Sequence, residues 1–82
     1  MYTFRKSRRK NKKYDVFKNN KYLVSFGAIK KNGIPYDQYY DKIGSYSKYN
    51  HNDNKRLVNY YSRFGRNPKY ESAMWFSHRY LW

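Results

Sequence analysis

Cysteine is absent from this chain of 82 residues, which excludes both a disulfide framework and a thiolate metal site. Acidic residues are scarce, with 5 Asp and Glu against 19 Lys and Arg. A magnesium-dependent active site usually gathers several carboxylates, so this scarcity argues against metal-assisted catalysis. No apolar run reaches the length of about 18 residues that a membrane span needs. The basic N-terminus has no apolar segment behind it, so we expect neither a signal peptide nor secretion.

Aromatic residues are abundant instead, because 12 Tyr, 5 Phe and 2 Trp make up 23% of the chain. A single small domain has a thin core, and rings that each bury roughly 150–250 Å² can supply it. We expect most tyrosines to serve in packing before any of them serves in binding. The formal net charge of +14 opposes compaction, and an anionic partner would relieve that repulsion.

The positive charge is densest at the N-terminus, where residues 1–13 contain seven cations and no acid. We expect this segment to be a mobile basic tail, separate from an aromatic-rich domain over residues 14–82. Its cations are candidates for phosphate contacts: Arg5, Lys6, Arg8, Arg9, Lys10, Lys12 and Lys13.

The remaining pattern predicts an α+β domain in which a hairpin packs against three short helices. Residues 14–26 contain two segments rich in aromatic and β-branched residues, with Asn19-Asn20 as the turn between them. Asn32-Gly33 is a second turn signal and could close a short third strand. Helices are predicted at about 36–43, 54–64 and 71–81, and the last contains Trp75, which we expect in the core.

The helix over 54–64 has the clearest signals. Asp53 can cap its first turn, and Gly65 can end it. The apolar residues Leu57, Tyr60, Tyr61 and Phe64 recur at helical spacing. A second face carries cations and would lie on a nucleic-acid backbone. Its candidate binding residues are Arg56, Arg63 and Arg66.

Catalytic and metal-binding interpretations are weak. His51, Asp53 and His78 are the only groups that invite them, and Asp53 has the simpler role of a helix cap. A zinc site needs a third and usually a fourth ligand, and no phosphate loop or nucleophile motif occurs. We therefore expect no enzymatic activity, no metal, no cofactor and no small-molecule substrate.

An ordered series of short motifs runs from Phe26 to Trp82. It comprises Phe26-Gly27, Tyr36-x-Gln38-Tyr39-x-Asp41-Lys42, Tyr46-Ser47, His51-x-Asp53-x-x-Arg56, Tyr60-Tyr61-x-Arg63 and Ser72-Ala73-x-x-Phe76-Ser77-x-x-Tyr80-Leu81-Trp82. This series resembles a family of small basic proteins of large double-stranded DNA viruses that has no established activity. The resemblance implies a viral origin and a role in DNA packaging, in virion structure or towards the host. The implied location is the virion, the host nucleus or the viral factory.

Two functions fit the sequence. The first is binding of nucleic acid, with DNA favoured over RNA, largely without sequence specificity, because no helix-turn-helix, zinc-finger or RNA-recognition pattern is visible. The alternative is a minor virion protein that cements the capsid. In that case the basic tail would dock on an acidic surface of capsid or other virion proteins.

Overall fold

The computed structural model describes all 82 residues of the chain. Its elements are β1 (Tyr2–Lys6), β2 (Lys12–Lys18), β3 (Lys21–Ala28), α1 (Asn54–Phe64) and α2 (Ala73–Tyr80), with a 3₁₀ turn at Ser47–Tyr49. The strands form one antiparallel sheet in the order β1-β2-β3. The predicted α+β class is confirmed, whereas the predicted number of three helices is wrong because only two form.

The predicted hairpin is present as β2 and β3 and extends two residues further at each end. Asn19 and Asn20 form its turn with φ of 52° and 67°. Two successive positive φ angles match the right-handed twist of the strands, and asparagine tolerates them better than most residues do.

The N-terminal segment is part of the sheet, so the predicted mobile tail is wrong. β1 pairs with β2 in a register that sets Phe4 beside Val16. The predicted domain boundary after residue 13 falls inside β2. Tyr2 and Phe4 alternate with polar residues along β1 and pack against the core, which explains why this very basic segment becomes a strand.

The core lies between one face of the sheet and α2. Tyr14, Val16 and Phe26 from the sheet are fully buried against Phe76 of α2 and the following Leu81. The rings of Phe26 and Phe76 stack with centroids 5.7 Å apart. Aromatic contacts therefore supply the small core, as the composition predicts.

Helix α1 begins and ends where the sequence predicts. The Asp53 carboxylate accepts hydrogen bonds from the backbone N–H groups of Lys55 and Arg56. Gly65 has φ +76° and donates its N–H to the carbonyl of Tyr61. Tyr60 is buried and contacts His78 of α2, while Arg63, almost one turn further along the helix, is exposed.

Residues 36–43 form a loop, and the helix predicted there is wrong. The Gln38 amide donates to the carbonyl of Tyr46 at 2.8 Å and to Asn50 Oδ1 at 2.7 Å. The buried Asp41 carboxylate accepts a hydrogen bond from the Tyr14 hydroxyl. These long-range bonds hold the loop in a non-helical conformation, since a short helix gains little from its own hydrogen bonds.

The segment between β3 and this loop contains a turn but no third strand of the predicted kind. Gly33 donates its N–H to the carbonyl of Lys30 at 2.9 Å, which confirms the turn at Asn32-Gly33. An isolated bridge between Ile29 and Pro35 flanks this turn, and no further strand forms there.

Helix α2 lies within the predicted range of 71–81, and the Ser72 hydroxyl caps it by accepting the N–H of Trp75. Phe76 is its fully buried ring, whereas Trp75 is half-buried at the margin of the core. The sequence predicts a core position for Trp75, and the structure places it at the margin.

Candidate nucleic-acid interface

Three of the five side-chain carboxylates have uncharged hydrogen-bond partners, and two of the three, Asp15 and Asp41, are buried. Asp15, Asp41 and Asp53 accept hydrogen bonds from hydroxyl and backbone N–H groups. Burial acts to raise the pKa of Asp15, but the hydroxyl groups of Ser25 and Ser7 donate to it and bring the pKa below its usual value. These carboxylates therefore hold loops and turns in place and form no ion pair with a surface cation.

The other two carboxylates form the only ion pairs in the chain. Glu71 lies 2.7 Å from the Lys18 ammonium, and Asp37 lies 3.8 Å from the Arg56 guanidinium with both side chains about half exposed. An exposed pair of this kind contributes little. Of the 19 Lys and Arg side chains, 17 thus have no carboxylate within 4.0 Å.

Three of the predicted N-terminal residues meet on the sheet. Arg5, Arg8 and Arg9 line a shallow depression of about 300 Å³ together with Phe17 and Tyr22, and the buried Asp15 also borders it. The Arg5 guanidinium lies 4.3 Å from the centre of the Phe17 ring, and that of Arg9 lies 4.5 Å from the Tyr22 ring. We call the three arginines and the two aromatic residues the arginine–aromatic patch.

Three other predicted residues with exposed side chains, together with the buried Lys13, line a second and larger concavity, between α1, the C-terminal end of the chain and the segment after β3. This cleft has a volume of about 680 Å³. The exposed ones are Lys12, Arg56 and Arg63, and the sequence separates Lys12 from the two arginines by more than forty positions. The fold brings them together because the start of β2 and α1 both border the cleft.

The cleft also contains residues that the sequence analysis did not select. Lys30 lies with its ammonium 5.3 Å from the centre of the Tyr36 ring, and both residues line the cleft. The ring of Phe64 lines it as well, 5.0 Å from the Arg63 guanidinium. The signal that could have indicated Lys30 is its place in the basic turn before Gly33, which exposes its side chain.

Arg66 does not lie with Arg56 and Arg63, so the three do not share one face. The chain leaves the helix at Gly65, and Arg66 turns over the Tyr61 ring at 4.7 Å. It lines a separate depression of about 340 Å³ with Arg79, a cation that the sequence analysis missed.

The last three predicted residues have different surroundings. Lys6 is exposed, with its ammonium 5.2 Å from the Tyr46 ring, and Lys10 is exposed in the turn between β1 and β2. Lys13 is only 2% exposed. Its ammonium donates to the carbonyl of Tyr36 at 2.6 Å and to Gln38 Oε1 at 2.5 Å. Lys13 borders the cleft, but its ammonium is already held by two protein acceptors, so we do not count it among the exposed cations.

Both histidines have structural partners. His78 Nε2 lies 2.8 Å from the carbonyl oxygen of Gly65, so this nitrogen carries the proton, and Nδ1 accepts from the Tyr60 hydroxyl at 3.0 Å. His51 Nδ1 accepts the N–H of Asp53 at 2.9 Å. No group of three or more His, Asp or Glu side chains is placed to hold a metal ion.

No helix of the structure combines the length and the apolar character that crossing a membrane requires. Comparison of the chain with family models, with curated proteins and with solved structures gives no match.

Proposed function

We propose that the protein binds nucleic acid largely without regard to sequence, through its exposed cations. The observation that supports this most directly is the uncompensated charge: 17 of the 19 cations lack a carboxylate partner. Asp15, Asp41 and Asp53 are engaged by hydroxyl and backbone N–H groups, and Asp37 and Glu71 pair with one cation each, so the five acids leave most of the positive charge unneutralised. A bound polyanion would neutralise this charge, and the counterions condensed on the polyanion would be released.

The arrangement of the cations also favours nucleic acid over a simple anion. Exposed cations lie beside aromatic rings in both the arginine–aromatic patch and the cleft. The cations can contact phosphates and the rings can contact bases, and neither contact reads a base edge. Low sequence specificity follows from this set of groups.

DNA is the preferred partner in this proposal, and packaging or condensation of viral DNA is its suggested biological use. That part rests on the resemblance to small basic viral proteins. The virion-cement alternative has no specific contact or surface in its favour.

The test is a salt titration of binding to duplex DNA. We expect the logarithm of the binding constant to fall linearly with the logarithm of salt concentration, with a slope of about −0.9 per phosphate neutralised. The double variant Arg5→Gln/Arg9→Gln should make that slope shallower by about 2. Lys48→Gln, which changes an exposed lysine outside all three concavities, is the matched control and should change it less.

Deleting residues 1–13 is not a suitable variant, because it removes β1 and the start of β2. The absence of duplex binding near physiological salt, together with recovery of the protein from the shell of purified virus particles, would contradict the proposal and support the cement function.

A further inference from the structure

The cleft differs from the other cationic concavities in its greater volume. Its volume of about 680 Å³ lies within the range of roughly 300–1,000 Å³ that small-molecule sites have. Half of its lining residues are hydrophobic. The arginine–aromatic patch is less than half as large, so the cleft offers a planar group more room than the patch does.

Two aromatic side chains that line the cleft are partly exposed to solvent. The side chain of Tyr36 is 51% exposed and that of Phe64 is 44% exposed. The Tyr36 backbone is held on both sides, since its N–H donates to the carbonyl of Ala28 at 3.2 Å and its carbonyl accepts from Lys13. The backbone that carries this ring is therefore held in place before any ligand arrives.

The charge of the cleft is strongly one-sided. Lys12, Lys30, Arg56 and Arg63, together with the buried Lys13, line it against one acid, Asp37. A cation lies within about 5 Å of each of the two exposed rings. A ligand that places a flat apolar group on the rings and an anionic group beside it would match both the rings and the cations.

We infer that the cleft binds an unpaired nucleotide of a single-stranded nucleic acid, with its base on the Tyr36 and Phe64 rings and its phosphates on the surrounding cations. This inference rests on the proposed function and deepens it. Base–ring stacking tolerates any base, since each base has a π face. A duplex keeps its bases stacked on one another and offers the cleft only its backbone, so it gains nothing from the rings.

Trp82 provides a reporter inside the cleft. It lines the cleft and stacks on Tyr60, with centroids 4.2 Å apart and planes 5° apart. The chain has only two tryptophans, and Trp75 lies outside the cleft. In the variant Trp75→Phe all tryptophan fluorescence therefore comes from Trp82.

The experiment titrates Trp75→Phe with oligothymidylate, with a blunt duplex of equal length, with thymidine monophosphate and with polyglutamate. We expect saturable quenching of Trp82 by oligothymidylate, and binding of the mononucleotide that is at least about tenfold weaker because it lacks neighbouring phosphates. Tyr36→Ala should weaken the binding of oligothymidylate by about tenfold while changing duplex binding far less.

Tyr40→Ala is the matched control, because Tyr40 is 50% exposed and does not line the cleft. It should leave the binding of oligothymidylate unchanged. Thermal unfolding checks that each variant is folded. If Tyr36→Ala fails to fold, the quenching of Trp82 and the variant Lys30→Gln still test the cleft.

Three results would overturn the inference. They are equal effects of Tyr36→Ala on both nucleic acids, binding of oligothymidylate without a change in Trp82 fluorescence, and tighter binding of polyglutamate than of oligothymidylate. The first two leave the proposed function standing when the salt-dependent duplex binding persists. The third assigns the cleft to an acidic peptide. Loss of binding to every nucleic acid would remove the proposed function itself.

Discussion

At the scale of single residues, Lys13 and Gly27 form an unusual pair. Lys13 is the only lysine with a buried side chain. Its stem passes directly over Gly27, where an added Cβ would lie 2.8 Å from Lys13 Cβ. Glycine at this position thus makes room for the lysine, whose ammonium ties the sheet to the loop at Tyr36 and Gln38.

The variant Gly27→Ala tests this pairing. Gly27 has φ +81°, and Gly33 has φ +85° with nothing near an added Cβ. Gly33→Ala should lower the free energy of unfolding by about 1–2 kcal/mol, from backbone strain alone. Gly27→Ala should cost about 1–3 kcal/mol more, because the crowding of Lys13 is added. Urea denaturation measures both, and equal losses would show that the close approach does not matter.

The buried lysine should also make stability depend on pH. Burial lowers the pKa of Lys13 from 10.5 to about 8. Below pH 8 the ammonium is charged in the folded and the unfolded chain, and the folded chain bears the cost of burying that charge. Between about pH 8 and 9.5 the folded chain loses this proton while the unfolded chain keeps it. The free energy of unfolding should therefore rise by about 2 kcal/mol over this range.

Lys13→Met isolates this effect. Burial raises the pKa of Tyr14 and of Tyr60, so tyrosine ionisation in the unfolded chain lowers stability above about pH 10. That contribution is common to both proteins and cancels in their difference. The rise should be absent from the variant, and an identical pH dependence of the two proteins would refute the lowered pKa.

At the scale of elements, the sequence predicts those whose signals are local. The ends of α1 follow from Asp53 and Gly65, and the hairpin turn follows from Asn19-Asn20. Strand β1 is not predicted because its cations conceal the alternation of Tyr2 and Phe4, although only five residues separate it from its partner β2. Residues 36–43 have helical spacing, yet the tertiary hydrogen bonds of Gln38 and Asp41 outweigh it.

The candidate site was predictable to a similar extent and for the same reason. Charge alone identifies Arg5, Arg8 and Arg9, which are close in sequence and remain close in space. Lys12 and Arg63 meet only through the fold, so no spacing rule joins them. The burial of Lys13 depends on Gly27 and on the loop at Tyr36 and Gln38. The cations that surround Lys13 in the sequence would instead predict an exposed side chain.

Neighbouring aromatic residues of α2 should differ in their contribution to stability. Phe76 is fully buried between the sheet and α2, so Phe76→Ala should cost about 3–5 kcal/mol. Trp75 is half-buried and packs on Tyr2 and Tyr70 at the margin of the core. Trp75→Ala should therefore cost less, about 1–3 kcal/mol. Chemical denaturation measures both, and the reverse order would contradict the packing described here.

At the scale of the whole molecule, repulsion among the unpaired cations should limit stability at low ionic strength. Raising sodium chloride from about 0.01 M to about 0.5 M shortens the screening length severalfold. We expect the unfolding temperature to rise by several degrees over this range, and a non-ionic solute at equal osmolality serves as the control. An unfolding temperature that falls with salt would mean that attractive ion pairs outweigh the repulsion.

The order β1-β2-β3 leaves the outer side of β1 without a strand partner. Free backbone amides along such an edge can recruit a strand from another copy, and charged side chains are a common safeguard against it. Arg5 and Lys6 provide that safeguard. Removing their charge, or masking it with a bound polyanion, should promote filament formation between copies. Light scattering should therefore accompany every measurement on an Arg5 variant.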